Sequence, residues 1–205
     1  MIPSATFFLA ALVLAITPGP GIAYVVARTA AGGRGEGLAS CAGTGLGGLL
    51  HVGAAALGLS VLLAQSATAF SVVKYVGAAY LVYLGIRLVV SAPAPAQPRA
   101  VATGARRALL EGILVEALNV KTALFFLAFL PQFLVSGSPA VLQLVVMGTV
   151  CVALNTLVDV VAVLGAERLL RSESSGRQRA RLLNRLSGVT LVGLGLYVAA
   201  SRRSA

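Results

Sequence analysis

The stretch Ile16-Thr17-Pro18-Gly19-Pro20-Gly21 interrupts an apolar run that extends from Met1 to Ala27 without one charged side chain. A run of that length and character reads as membrane-spanning. Pro18 and Pro20 supply no amide hydrogen, and each pushes the residue before it, Thr17 or Gly19, out of helical geometry. The helix is therefore expected to break near Thr17. Inside hydrocarbon, non-helical backbone persists only where it is buried in protein or lines a wet cavity. Two readings follow: a half-helix start whose free amides face a small solute at mid-membrane, or a proline kink satisfied by neighbouring helices.

Working outward, the 205-residue chain is 58% hydrophobic and only 11% charged, with a mean hydropathy of +0.94. Soluble domains carry roughly 25% charged residues, so the composition is that of an integral membrane protein. The net charge of +10 would suggest nucleic acid in a soluble protein. Here the basic residues sit in short loops between oily runs, where they act as topology signals. Cys41 and Cys151 fall within apolar segments, without metal-type spacing or a disulfide framework. No Lys or Arg precedes the first apolar run, so it reads as a retained helix and not as a cleaved signal.

Six apolar segments are expected: 4–27 (broken near Thr17), 38–64, 68–90, 108–134, 140–164 and 186–200. A glycine-rich loop, 28–37, joins the first two, and a Pro/Ala/Arg linker, 91–107, divides the chain into halves 1–90 and 108–205. Ser136-Gly137-Ser138-Pro139 is a turn and 167–185 a basic polar loop. The loops after segments one, three and five hold twelve Lys and Arg (Arg28, Arg34; Arg87, Arg99, Arg106, Arg107; Arg168, Arg171, Arg177, Arg179, Arg181, Arg185), against Lys74, Arg202 and Arg203 on the other side. That asymmetry places the odd loops in the cytoplasm and both termini outside. Three segments per half force the second half to enter the membrane the other way up. The expected fold is thus an all-α membrane protein of six transmembrane helices in two inverted three-helix repeats, the usual plan of secondary transporters.

Thr17, His51 and Asn119 lie ten or more residues from their segment ends and so near the bilayer centre. Glu116 is one turn cytoplasmic of Asn119, and Asp159 also lies on that side. A mid-membrane charge costs roughly 2.5–3.5 kcal/mol, so Lys121 needs a cavity or a partner. It either holds an anionic group such as a carboxylate, or pairs with Asp159 or Glu116 to fasten the bundle. His51, the only histidine, suits proton exchange or helix packing. Asp159 reads as a proton carrier, a counter-ion to a substrate ammonium, or a partner for a basic residue. Glu111 pairs with Arg107 four residues away. Tyr24, Tyr80 and Tyr83 line a cavity or serve packing. No hydrolase motif and no nucleotide-binding loop is present, which leaves an ion or solute gradient as the energy source and no cofactor.

Taken together these residues resemble the LysE/RhtB family of amino-acid exporters. The likeness rests on Thr17-Pro18-Gly19-Pro20 followed by Arg28, Arg34-Gly35 and Gly37-Leu38; on Gly43, Gly47 and His51 leading to Gly58-Leu59; and on Lys74, Gly77-Ala78-Ala79-Tyr80-Leu81, Tyr83-Leu84-Gly85. In the second half it rests on Gly112, Asn119-Val120-Lys121, Phe125-Phe126 and Leu130-Pro131-Gln132-Phe133. The resemblance implies a bacterial inner-membrane protein that exports amino acids or their derivatives in exchange for protons, with Thr17, Pro18, Gly19, Pro20, Asn119 and Lys121 at the substrate site. His51, Glu116 and Asp159 remain candidates for proton coupling or counter-ions. Gly21 and Gly48 stand where members often place an acid, which disfavours a dicationic substrate. Val120 replaces the usual proline and softens the second break. The expected partners are an amino acid, protons and the lipid bilayer, without nucleic acid or metal, and a homo-oligomer is compatible with the chain. Rival readings are export of a drug or metal cation, a non-transporting scaffold subunit, and an intramembrane enzyme.

Overall fold

The computed structural model describes residues 4–59, 66–90, 101–135, 137–170 and 176–200, and among these it contains helices and no strand. Helix α1 (Ala5–Ile16) starts where Ser4 accepts a hydrogen bond from the Phe7 amide at 3.3 Å. It stops at Thr17, because Pro18 has no N–H to give to the next carbonyl. Thr17 and Gly19 are extended, and Pro20 opens α2 (Pro20–Ala54) at the first helical position, where a missing N–H costs nothing.

α2 is not one rod. Gly33 is its single non-helical residue, at φ 74° and ψ −167°. A Cβ on Gly21 would lie 3.9 Å from Thr44, although 23 positions along a straight helix would separate them by about 34 Å. Val25 and Cys41 likewise share one buried cluster with Val163. The chain therefore folds back at Gly33 into two antiparallel legs, 20–32 and 34–54. The ten-residue loop expected at 28–37 is thus a one-residue vertex, flanked by helix on both sides.

A π-helical turn, Ala55–Leu59, ends this hairpin, and α3 follows (Ala67–Val90). α4 (Ala105–Ala117) and α5 (Val120–Ala128) are two parts of one apolar stretch bent by 46°. The second break is therefore present without a proline. The Asn119 side chain makes it, accepting from the Lys121 amide at 3.1 Å as the N-cap of α5. A 3-10 turn, Leu130–Phe133, leads to α6 (Ala140–Leu170) and then α7 (Gly176–Ala200). α6 extends past the expected end at 164 and α7 starts ten residues before the expected 186, so much of the basic stretch is helical. The expected segment end 60–64, the linker 91–100 and residues 171–175 lie outside the described residues.

Polarity is arranged inside out. Leu57, Val90 and Leu118 are 70%, 77% and 70% exposed, while Thr17, Ser40, Thr44, Glu116, Asn119, Thr122 and Asp159 are all buried. An apolar exterior around a polar interior is what a bilayer solvent selects. Among the described residues, three stretches are long and apolar enough to cross it, Pro20–Gly58, Thr68–Val90 and Ala140–Gly165, and the bent α4–α5 pair makes a fourth. Ala5–Ile16 and Gly188–Ala200 are apolar but shorter.

Both legs of α2 pack on α4, and small residues allow the approach. A Cβ on Gly47 would lie 2.7 Å from the Ile113 carbonyl oxygen, and one on Gly112 2.9 Å from that of Ser40. α3 and α7 cross antiparallel through Gly85 and Gly188, where a Cβ on either would lie 2.5 Å from the other's carbonyl oxygen. Close glycine contacts replace the hydrophobic effect between helices in lipid. A stacked aromatic core, Phe125 on Phe129 at 4.7 Å and Phe129 on Phe133 at 4.8 Å, joins α5 to Phe7 of α1.

Substituting Gly33 by Val places a β-branched residue in a conformation that only glycine takes at no cost. We expect a loss of about 1–3 kcal/mol, read as a lower melting temperature of the detergent-purified protein, with Gly35→Ala as the unaffected control.

Candidate functional site

The two breaks face each other. At the first, Pro18 leaves the carbonyls of the last turn of α1 short of donors. Lys121, from the first turn of α5, supplies them: its ammonium donates to the Thr17 carbonyl at 3.0 Å and the Leu14 carbonyl at 3.4 Å. Hydrogen bonds to a charged group are worth about 1.5–3 kcal/mol each, so the pair offsets the roughly 2.5–3.5 kcal/mol of placing the charge there. The negative end of the α1 dipole adds to this. Among the described residues Lys121 forms no ion pair with Glu116 or Asp159. Its hydrogen-bond partners are neutral carbonyls, and Glu116 and Asp159 act on its charge only from beyond ion-pair distance.

Glu116 lies at the other side of the same opening. Its Oε1 accepts from Thr122 Oγ1 at 2.7 Å and its Oε2 from Asn119 Nδ2 at 3.0 Å. A Cβ on Gly21 would lie 2.8 Å from that Oε2, so the carboxylate rests against the first turn of α2, where amides lack intrahelical partners. His51 Nε2 donates to the Glu116 carbonyl at 2.8 Å. That bond requires a proton on Nε2 and pins the last turn of α4. Asp159 is held by Thr44 Oγ1 at 3.1 Å.

Beside Glu116 is a cavity of about 10 Å³, lined also by Leu14, Thr44, Thr122, Asn155 and Thr156 among others, with Lys121, Thr17 and Asn119 outside its lining. It has room for about one water molecule. The sequence-singled residues Thr17, Asn119, Lys121 and Glu116 are thus brought together, with Gly19 against the Lys121 ammonium. His51 and Asp159 are adjacent and engaged elsewhere. Thr44, Thr122 and Thr156 were not singled out from sequence. A threonine in an apolar run carries little signal, and only the tertiary fold aims these three at one point.

The chain matches the LysE type translocator family over residues 12–202. It belongs to that family. Among its relatives, it is 29% identical over 204 residues to the homoserine/homoserine lactone efflux protein of Salmonella typhimurium, covering 97% of this chain and 96% of the relative. It is also 29% identical over 197 residues to a membrane protein of Vibrio cholerae, covering 96% of each. The leucine efflux protein of Klebsiella pneumoniae is 25% identical over 197 residues, covering 95% of this chain and 93% of the relative. No solved structure matches the chain.

The vertex side of this translocator is tied by a second polar cluster. Arg28 binds Glu111 through Nη2 and the Val101 carbonyl through Nη1 at 3.0 Å. Glu111 also accepts from Arg107 Nε at 2.8 Å, as the four-residue spacing predicts. Tyr24 donates to the Ala108 carbonyl at 2.8 Å, which makes it a packing residue. Glu36 accepts from the Thr103 and Gly104 amides at 2.8 and 2.6 Å, just ahead of α4, and its Oε2 stands 3.9 Å from Arg28. Sequence reasoning placed Arg28 and Glu36 in a loop. Folded back at Gly33, they fasten both legs of the hairpin to the start of α4.

Glu36→Ala leaves two amides at the α4 entrance without their acceptor, which costs about 1–2 kcal/mol on the scale of a lost helix cap. Glu36→Gln keeps an acceptor there. Thermal unfolding in detergent is expected to show a lower midpoint for Glu36→Ala than for Glu36→Gln.

Proposed function

We propose that this LysE family member is a secondary transporter of the bacterial inner membrane. It exports neutral amino acids or closely related small metabolites from the cytoplasm in exchange for protons. The observation that carries the reading is the Lys121 ammonium, held at the α1 break by two carbonyls, with no carboxylate paired to it. A buried cation between two broken helices is a recognition element for a carboxylate. A scaffold would instead pair it with Asp159 or Glu116, and it pairs with neither.

Thr17, Pro18, Gly19 and Pro20 shape the break, Asn119 caps the opposing half-helix, and Lys121 takes the carboxylate. Glu116 or Asp159 meets the ammonium or carries the proton. One cation and one hollow-lining acid fit a zwitterion better than a dicationic amino acid. The names of the Salmonella and Klebsiella relatives, homoserine and leucine efflux proteins, agree with that class.

Counting α1 with leg 20–32 as one broken pass and leg 34–59 as the next, we read six passes in two inverted repeats. The antiparallel, reciprocal Gly85–Gly188 crossing and the two facing breaks support this. The arginine-rich loops then lie in the cytoplasm with both termini outside. The Arg28–Glu111–Glu36 cluster closes the cytoplasmic end, and the one-water cavity is an occluded state that opens as one repeat rocks against the other.

Proteoliposomes loaded with labelled L-leucine or L-homoserine test the reading. We expect release driven by a pH gradient, and a fall of about tenfold or more for Lys121→Ala, the loss of at least about 1.4 kcal/mol of recognition. Flux absent from the wild type, or equal in Lys121→Ala, would contradict it.

A further inference from the structure

Three ionisable groups besides Lys121 lie around the break, and the geometry separates them. His51 is committed through Nε2 to the Glu116 carbonyl, and Asp159 to Thr44 on α6's side of the bundle. Neither lines the hollow. Glu116 does, and it is 2% exposed. Its two carboxylate oxygens receive only the neutral donors Thr122 and Asn119, so among the described residues no cation pairs with it.

The groups facing it come from every neighbouring element. They are His51 from the second leg of α2, Lys121 from α5, and Asp159 and Cys151 from α6. The first leg contributes no titratable group at that level, because Tyr24 is turned to Ala108 and Glu111. What the first leg does contribute is an absence. Gly21 has no side chain, and the Glu116 carboxylate fills that space, 2.8 Å from where a Cβ would stand.

Resting on the transport reading above, we propose that Glu116 is the exchange residue of the site: its carboxylate holds either the substrate ammonium or one proton, and Gly21 is the vacancy that admits it. A buried carboxylate with no cation in direct contact is costly in hydrocarbon, so the closed protein crosses between its two faces only when the substrate ammonium or a proton is bound. Export of one zwitterion is then balanced by entry of one proton, and each cycle moves one positive charge inward. Lys121, which stands outside the lining of the closed hollow, takes the carboxylate of the same solute once the site opens, so both charges of the zwitterion are met. This chemistry selects an α-amino acid with an uncharged side chain, and it excludes solutes that lack the ammonium.

The test is the pH dependence of solute affinity in proteoliposomes, with L-leucine and L-homoserine as the probes. In the wild type, protons compete with the ammonium for one carboxylate, so the apparent KM rises as pH falls, by up to about tenfold per unit for one competing proton. Glu116→Gln is expected to show a raised KM that no longer changes with pH. Glu116→Ala is expected to be equally flat. The double variant Gly21→Asp/Glu116→Ala brings a carboxylate to the same contact from the opposite helix, where an acid in the first turn of α2 suits the helix dipole. It is expected to regain the pH slope. Monodispersity and melting temperature in detergent identify variants that fold. A slope retained in Glu116→Gln overturns the assignment, as does a folded double variant that remains flat. A wild type that moves neither probe removes the transport reading itself, a result distinct from either of these.

Discussion

The constraint on which the structure depends is the scarcity of hydrogen-bond partners in hydrocarbon. A proline in a membrane helix removes one donor, and the carbonyl it abandons cannot turn to water. Two prolines within three residues after Thr17, Pro18 and Pro20, concentrate that deficit at one level of the bilayer. The fold answers it from the opposite half of the chain: Lys121 reaches across to Leu14 and Thr17. The ammonium and the orphaned carbonyls are each intolerable alone and stable together, so the break of α1 fixes where α5 must begin.

That placement propagates. Lys121 can reach α1 only if α4 and α5 are bent, and Asn119 bends them while its amide nitrogen steadies Glu116. α4 in turn must lie close to both legs of α2. Gly43, Gly47 and Gly112 remove the side chains that would hold the backbones apart. The fold at Gly33 lets one helix approach from two directions, with Arg28 and Glu36 clasping the α4 entrance from successive legs.

How much of this was legible in the sequence follows from whether the cause was local. The α1 break was legible because the missing amide hydrogens of Pro18 and Pro20 act within one turn. The inside-out distribution was legible because composition alone requires a lipid solvent. The fold at Gly33 was only half legible. Arg28, Arg34, Glu36 and the glycines read as a loop, but Arg28 is met by Glu111 of α4 and Glu36 by the amides just ahead of it, and the neighbours of Gly33 are free to stay helical. Arg177, Arg179, Arg181 and Arg185 read as part of a polar loop too, yet they lie within α7, and arginine is a good helix former. Depth singled out Asn119 and mid-membrane charge singled out Lys121, the resemblance pointed to the same two, and Val120 in place of proline suggested a weak bend. Asparagine capping made the break regardless. What no local rule could give was the partner of Lys121. Sequence reasoning weighed two carboxylates and a solute, and the structure gives two backbone carbonyls.

The small size of the central cavity has a consequence for the cell's energy supply. A hollow of about 10 Å³, walled by Leu14, Phe126 and Val152 beside its polar groups, has room for about one water and not for a file along which protons could hop. A protein resting with its site so closed would give protons no path there, and a membrane crowded with copies of it would keep its proton-motive force at these sites.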